Sequence, residues 1–445
     1  MKNEQAKKTK AAIAVPEYLV KAPNTAITLM HQEEVSVTVG ERKLFAAANI
    51  IMRMMPSPRV IIQVPLPDQM EGLRMIGSSG TDAVLHLPAW NARVDCLRTG
   101  VEGEILSLTP KREPFTLGSP RTLLKVVSFH VFNMPDFQGS HRECEKVGKT
   151  QLCTHHLVLS SDPYRITISS MSSTSENVKL VKGDGGYALT HVGRIEREGG
   201  RSFTGRDAAE VLTSLHFFLS LACGRWVSPS LAIGKTAKGT AKWFQMGLGQ
   251  CDPWRYCLSW FGGFHGRLLE EVFPCFMQTW KSQGWHASLK KAIYWYLVAN
   301  GNDLDSGIIL TQSAMELLAW TYVVKEHRLL SEAGLKSLWA SDRIRLLGSS
   351  VGIPMEIPSC LAELRIHAKR MQWVDAMHAF TEIRNSIVHP DHKRAGKHDN
   401  ALYEAYNMGL WYLDLLFLRL FGYRGKYSNR LKSGWVGDTE DVPWT

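Results

Sequence analysis

The sequence lacks any long apolar run and any recognisable export signal. Its most apolar stretch, Leu410 to Phe421, is interrupted by Asp414 and Arg419 and is too short to cross a bilayer. The first ten residues are polar and rich in lysine, without the apolar core of a secretory signal. We therefore expect a cytoplasmic protein with no membrane partner, whose 8 cysteines are reduced thiols.

The sequence also lacks a nucleotide-binding P-loop. Gly-Lys-Thr occurs twice, beginning at Gly148 and at Gly234, but a P-loop needs another glycine five positions earlier. Those positions hold Glu143 and Pro229, so we expect no ATPase or GTPase activity. The second triplet lies within residues 233–242, where we predict a hairpin turn with exposed charge.

A short zinc-knuckle spacing is missing as well. Residues of zinc-ligand type cluster within sixteen positions, but the two cysteines are separated by eight residues rather than by two to four. The cluster is a candidate zinc site or a strand-connecting loop with ordinary side chains, and the spacing favours the loop. Its members are His141, Cys144, Cys153, His155 and His156. We predict no metal and no other cofactor at the functional site.

The chain has an excess of positive charge, and its N-terminal and C-terminal parts have different sequence patterns, one typical of strands and the other of helices. Lys and Arg outnumber Asp and Glu by 52 to 42, and a basic protein of this kind is compatible with a nucleic-acid partner. Residues 1–25 read as a disordered or loosely docked tail. Residues 26–201 contain short β-branched runs between turn residues, which predicts a β-rich domain. We expect this domain to have a sensing or regulatory role.

The texture changes near Ser202. Thr204 is a candidate N-cap for a helix that Gly224 would end, within a mixed connector at residues 202–285. Residues 286–425 show helical periodicity with short loops, which predicts a helical bundle, and 426–445 form a C-terminal tail. The predicted fold class is therefore α+β, a β-rich N-terminal region followed by an all-α bundle. The predicted helices are 286–299, 303–325, 332–347, 359–369, 372–389 and 400–421.

The helix predicted from Gln372 to His389 has two faces. At about 100° per residue, one side collects apolar residues and the opposite side collects polar ones spaced four, three and four apart. The apolar stripe contains Trp373, Phe380, Ile383 and Ile387, and the polar stripe contains His378, Glu382, Asn385 and His389.

Arg384 lies between these faces, so its guanidinium needs a partner or must reach outward. Glu316 is the expected partner, because it is the one charged residue between Asp305 and Lys325. His389 precedes Pro390 and should end the helix, where the backbone dipole favours a protonated imidazole. A fixed cation beside an imidazole suits acid–base chemistry on a phosphodiester.

The string Arg384-Asn385-x3-His389, with Pro390 after it, resembles the Arg-x4-6-His signature of the HEPN superfamily. Many HEPN proteins are metal-independent ribonucleases, and the resemblance covers residues 286–425. A β-rich region before such a bundle also resembles the ApeA-type anti-phage proteins.

The resemblance implies roles for individual residues. His389 would act on the ribose 2′-hydroxyl or the leaving 5′-oxygen, Arg384 would stabilise the developing charge, and Asn385 would orient His389 or the phosphate. HEPN nucleases usually pair two motif helices, which implies a homodimer with a composite active site. His378 and Glu382 would support this shared face.

Basic residues follow the motif in two groups. Lys393 and Arg394, with Lys397, are candidate contacts for RNA phosphates, and a solvated loop is the alternative. The second group contains Arg424, Lys426, Arg430 and Lys432.

These expectations define a metal-independent endoribonuclease that acts on RNA in anti-phage defence or abortive infection. A phage-derived trigger would be sensed by the N-terminal region. The alternative is a non-catalytic HEPN-type protein that uses the bundle to dimerise, or a component of a toxin–antitoxin pair.

Overall fold

The computed structural model describes residues 15–68, 82–139, 141–147, 150–301, 303–389, 398–432, 434–435 and 437–444. The chain divides into two compact units. The β unit comprises Met1–Asp136, Ser140–Leu212 and Ser228–Trp254. The helical unit comprises Phe137–Gly139, Thr213–Val227 and Arg255–Thr445. A β-rich N-terminal half and a helical C-terminal half are as the sequence predicts, whereas the predicted connector is shared between the units.

A closed barrel of six antiparallel strands opens the β unit. The strand order is β1-β2-β3-β6-β5-β4, and β1 closes the ring against β4 through pairs such as Val37 with Leu85. Alternating side chains point inward and form an apolar core, as expected for a small barrel. The strands are β1 (Ile27–Val39), β2 (Arg42–Arg53), β3 (Arg59–Pro65), β4 (Asp82–Leu87), β5 (Ala92–Glu102) and β6 (Ile105–Pro110).

The second part of the β unit is an eight-stranded antiparallel sheet in the order β10-β11-β12-β13-β9-β15-β16-β7. A two-stranded pair, β8 (Leu123–Leu124) with β14 (Phe203–Thr204), and helix α1 (Thr174–Asp184) accompany it. The sheet strands are β7 (Phe115–Leu117), β9 (Val126–Phe132), β10 (His141–Val147), β11 (Thr150–Ser161), β12 (Tyr164–Ser170), β13 (Leu189–Arg197), β15 (Pro229–Lys235) and β16 (Ala241–Met246).

Two predictions about local structure in this region are confirmed. β15 and β16 form a hairpin, with Ile233 opposite Phe244, and its turn at residues 236–240 lies within the predicted range 233–242. Helix α2 (Gly205–Cys223) is capped by Thr204, whose hydroxyl accepts from the N–H of Asp207, and it ends before Gly224.

The described part of the predicted N-terminal tail is docked on the β unit. The Glu17 N–H donates to Nε2 of His130 at 3.0 Å, and Lys235 pairs with the Glu17 carboxylate at 2.6 Å. Tyr18 is buried in the apolar cluster. This segment is therefore anchored at Glu17 and Tyr18 by polar and apolar contacts.

The helical unit contains eight further helices, among the described residues, and one short strand pair. Caps explain several starts: the side chains of Asp303, Ser331 and Asp375 each accept from a first-turn N–H. The helices are α3 (Gly266–Lys281), α4 (Gln283–Ala299), α5 (Leu304–Trp320), α6 (Glu332–Lys336), α7 (Ala340–Ser350), α8 (Ala362–Met371), α9 (Ala376–Val388) and α10 (Asp399–Leu420). A π-helical turn, Thr321–Glu326, extends α5, and β17 (Lys426–Tyr427) pairs with β18 (Glu440–Asp441).

One segment, Leu304–Glu326, is long and apolar enough to cross a membrane by length and composition alone. Within its most apolar window, 56% of the residues are buried inside the fold. A core helix of a bundle passes the same test, so the segment is weak evidence for a membrane span.

Candidate functional site

The motif lies on α9, which is shorter than the sequence predicts. Gln372 adopts a left-handed conformation (φ 57°) that ends α8, and the N–H of Trp373 donates back to the carbonyl of Ala368. Asp375 then caps α9 by accepting from the N–H of His378 at 2.9 Å. Trp373 is therefore not part of the apolar stripe of the motif helix, which corrects that assignment.

The N-terminal end of α9 is fixed by an ion pair. Arg345 of α7 holds the Asp375 carboxylate, with Nη2 to Oδ1 at 3.0 Å. Burial acts to raise the pKa of Asp375, but the hydrogen bonds from Arg345 and from the His378 N–H outweigh it and hold the pKa below its usual value.

The C-terminal end of α9 is where the sequence places it. The last helical residue is Val388, and the N–H of His389 donates to the carbonyl of Asn385 at 2.9 Å. The His389 side chain is exposed. An imidazole at this position is free to meet a ligand from solvent or a group from another chain.

Arg384 is half-buried, and its guanidinium forms few hydrogen bonds with the described residues. Its Nη1 lies 3.5 Å from Oδ1 of Asn385, a weak hydrogen bond at best. Its Nε is buried and has no hydrogen-bond partner within the described part of the chain. Among the described residues, most of the donors of the guanidinium therefore have no partner.

The expected pair between Arg384 and Glu316 is wrong. Glu316 accepts from Nη1 of Arg343 at 3.1 Å and from Nε2 of Gln312 at 2.8 Å. Arg343 lies on α7, and because α7 packs against α5, its guanidinium is placed to bind the Glu316 carboxylate.

The polar face of α9 divides into three parts. Asn385 links to Glu382 through an Nδ2 to Oε1 hydrogen bond of 3.3 Å, so Arg384, Asn385 and Glu382 form a chain. His378 accepts at Nδ1 from the N–H of Val374 at 3.2 Å and belongs to the opposite end of the helix. Eleven residues, about 16 Å of helix rise, separate His378 from His389. The structure thus brings Arg384 and Asn385 together and leaves His378 apart.

A pocket of about 390 Å³ lies beside the N-terminal end of α9. It is therefore at the end that carries Asp375 rather than at the end that carries His389. Its lining is Met355, Glu356, Ile357, Arg365, Trp373, Val374 and Asp375.

Two other predicted groups have different outcomes. Lys393 and Arg394 lie outside the described residues. The Cys/His cluster lies on the hairpin of β10 and β11, with His141 opposite His156 and Cys144 opposite Cys153, and not on a connecting loop. His156 is buried, and its Nδ1 lies 2.8 Å from the hydroxyl of Ser169. In the described part of the chain, no group of three or more His, Cys, Asp or Glu is placed to hold a metal ion.

The sequence analysis missed a buried polar network centred on Arg430. Its guanidinium donates to Asp414 (2.7 Å), to Asn300 (3.0 Å) and to the Tyr296 hydroxyl (2.8 Å). Burial acts against the charge of Arg430, but Asp414 keeps its pKa above the ordinary value. The signal for this pair was Asp414, an isolated carboxylate within an apolar run.

A pair of histidines was also missed. Nε2 of His367 lies 2.5 Å from Nδ1 of His398, and Trp373 lies against both rings. His367 is in the middle of α8 and His398 directly precedes α10, so the contact joins α8 to the start of α10.

Comparisons with known proteins match two parts of the chain. Residues 282–441 match the family described as YopA C-terminal domain, and residues 119–257 match the YopA central domain. The chain is similar to YopA. The C-terminal match contains α9 and all of its motif residues.

A curated relative is the SPbeta prophage-derived uncharacterized protein YopA of Bacillus subtilis (strain 168). It is 29% identical over 269 residues, which is 59% of this chain and 60% of the relative. The matched region therefore spans less than two thirds of the relative's length. No solved structure gives a significant match.

Proposed function

We propose that this protein is a metal-independent endoribonuclease of the HEPN type, with Arg384, Asn385 and His389 as its catalytic residues. The observation that carries the proposal is the state of Arg384. It is half-buried five residues before an exposed His389 at the end of α9, and no carboxylate neutralises it within the described residues.

The chemistry follows from these positions. His389 takes the proton of the ribose 2′-hydroxyl or returns one to the leaving 5′-oxygen, which requires RNA because DNA lacks the attacking group. Arg384 stabilises the charge that develops on the phosphorane, and it can do so because its donors are not already committed. Asn385, held by Glu382, orients the imidazole or the phosphate.

The arrangement supports half of a site rather than a whole one. Each chain supplies a cation and an imidazole near the C-terminal end of α9, and a second copy would complete the pair across a homodimer interface. Exposed apolar side chains before α9 suit contact with a second chain: Val374 is 78% exposed, and Ile366, on α8, is 65% exposed.

The biological setting proposed is defence against phage in the cytoplasm, with the β unit as the sensor of a phage-derived trigger. The prophage origin in the relative's name supports a place in phage–host conflict. The exposed apolar residues equally favour a second candidate, a non-catalytic protein that dimerises through the same face.

Purified protein incubated with single-stranded RNA in EDTA tests the proposal. Wild type should cut, and His389→Ala and Arg384→Ala should each lower the rate by about 10²–10³-fold. His378→Ala is the matched control, since it removes an imidazole of the same helix from the opposite end and should cut normally.

A growth assay in the host covers the case in which the purified protein is inactive because its trigger is missing. Expression that slows growth, with rescue by His389→Ala but not by His378→Ala, supports the nuclease. A dimer by light scattering that cuts no RNA, with equal growth of all three strains, would establish the non-catalytic candidate instead.

A further inference from the structure

Helix α4 presents an exposed stripe without any carboxylate. The helix has 17 residues, and its sequence contains two lysines and no Asp or Glu. Its exposed positions recur at helical spacing along one side, while Leu289, Ile293 and Leu297 are buried on the other. The α4 stripe consists of Gln283, His286, Ala287, Lys290, Lys291 and Tyr294.

The two lysines of the stripe rest on aromatic rings. Nζ of Lys291 lies 4.7 Å from the ring centroid of Trp295, and Nζ of Lys290 lies 5.6 Å from that of Phe217. Such contacts hold the aliphatic stems in place and leave the ammonium groups positively charged. Neither lysine forms an ion pair with any residue that the structure describes.

Three other basic side chains of the helical unit are neutralised by carboxylates. Lys336 pairs with Glu332, and Lys432 pairs with Glu440. Arg343 pairs with Glu316. The positive charges of Lys290 and Lys291 are therefore not neutralised by a described carboxylate, whereas those of Lys336, Lys432 and Arg343 are.

An aromatic ring completes the stripe. Tyr294, one turn beyond Lys290, is 46% exposed, and its ring packs 6.1 Å from that of Trp226. One carboxylate is close to the helix: Glu326 lies against Gly284. Gly284 is six residues, about 9 Å of rise, before Lys290, so this carboxylate faces the far end of the stripe.

We propose that the α4 stripe binds single-stranded RNA. Lys290 and Lys291 contact two phosphates, and the Tyr294 ring stacks on a base. Unpaired lysines beside an exposed aromatic ring are the combination that single-strand binders use, because it attracts any backbone and any base. The proposal rests on RNA being the substrate, and it assigns substrate binding to residues outside the motif.

Fluorescence anisotropy with a labelled single-stranded RNA tests this binding. The full-length His389→Ala protein is the background, so that the RNA stays intact. Adding Lys290→Glu and Lys291→Glu should weaken binding by roughly tenfold or more at low salt. Loss of two phosphate contacts should also reduce the slope of log K against log salt by about 1.4.

Neutral and aromatic variants separate the contributions. Lys290→Gln with Lys291→Gln should give an intermediate loss, which excludes an effect of the new negative charges. Tyr294→Ala should weaken binding by about five- to tenfold, whereas Tyr294→Phe, which keeps the ring, should bind as the background does.

The matched control reverses two lysines of α1. Lys179 and Lys182 are both exposed, and Lys179→Glu with Lys182→Glu changes the net charge by the same amount. RNA affinity should stay within about twofold of the background. An equal loss in the α1 and α4 pairs, or full affinity in the α4 pair, would overturn the proposal.

These outcomes are distinct from failure of the nuclease. RNA binding that depends on the α4 stripe, in a wild-type protein that cuts nothing, leaves this site standing and removes the catalytic assignment. Normal binding by the α4 variants in the His389→Ala background, with normal cutting when the same substitutions are made in the wild-type protein, removes this site and leaves the catalytic assignment standing.

Discussion

Arg430 and Arg384 belong to the same helical unit, and the fold treats them in opposite ways. Arg430 is buried, and its donors reach Asp414, Asn300, Tyr296 and the carbonyl of Leu258. Among the described residues, Arg384 forms one long hydrogen bond, to Asn385, and its buried Nε has no partner.

The difference separates a structural arginine from a candidate catalytic one. A buried guanidinium whose three nitrogens all donate to internal partners ties segments together and leaves little capacity for a ligand. A guanidinium with unpaired donors lowers the stability of the fold. Such an arrangement is typical of a functional site, where a bound phosphate accepts the missing hydrogen bonds.

The largest effect on stability should come from the committed arginine. Arg430→Met leaves Asp414 buried without its cation and should lower the free energy of unfolding by about 3–5 kcal/mol. Urea denaturation followed by the helical circular dichroism signal measures it. Arg430→Met with Asp414→Leu should recover much of the loss, since both charges are gone; a double variant as unstable as the single one would contradict this account.

An intermediate effect is expected at Asp375. Asp375→Ala removes both the cap of α9 and the partner of Arg345, and should cost about 1–2 kcal/mol at neutral pH. Because the pKa of Asp375 is lowered in the fold, its contribution is present above the unfolded pKa of about 3.9 and is lost as the pH falls through the lower folded value.

Unfolding of wild type and Asp375→Ala across acid pH checks that sign. The gap between the two proteins should stay constant down to about pH 4 and then close. A gap that closes between neutrality and pH 5 would mean that another group carries the effect.

The smallest effect on stability should come from Arg384. Arg384→Ala should change the free energy of unfolding by less than about 1 kcal/mol, because the side chain is half exposed and makes no ion pair among the described residues. The RNA cleavage rate of Arg384→Ala should nevertheless fall by about 10²–10³-fold. Arg384→Lys sharpens the contrast, since it keeps the charge but loses the planar fork, and should restore stability more fully than cleavage.

Comparable losses of stability for Arg384→Ala and Arg430→Met would break the distinction. Arg384 would then be a structural residue as well, and the exposed His389 would have no cation beside it to act with.

Local patterns in the sequence predicted much of this fold. β-branched runs predicted the β unit, Thr204 and Gly224 bounded α2, and Pro390 marked the end of the motif helix. These features depend on residues within a few positions of one another, where steric and hydrogen-bonding preferences act directly.

Features that depend on distant partners were not predictable in this way. Glu316 pairs with Arg343 because α7 packs on α5, and the sequence does not state which helices are neighbours. Arg430 looked like part of an exposed basic group, and only the three-dimensional fold shows Asp414 beside it. The start of α9 depended on one left-handed residue, Gln372, which has no strong preference for that conformation.

The shared core of the β unit has a consequence for how this protein can be divided. The apolar cluster of the barrel includes Leu117, Phe132 and Leu231, which come from strands of the eight-stranded sheet. A break after residue 110 would keep all six barrel strands but strip them of these contacts. The barrel therefore cannot be replaced independently of the sheet. Gene fusions, truncations or recombination between relatives should give folded proteins only where the barrel and the sheet are kept together.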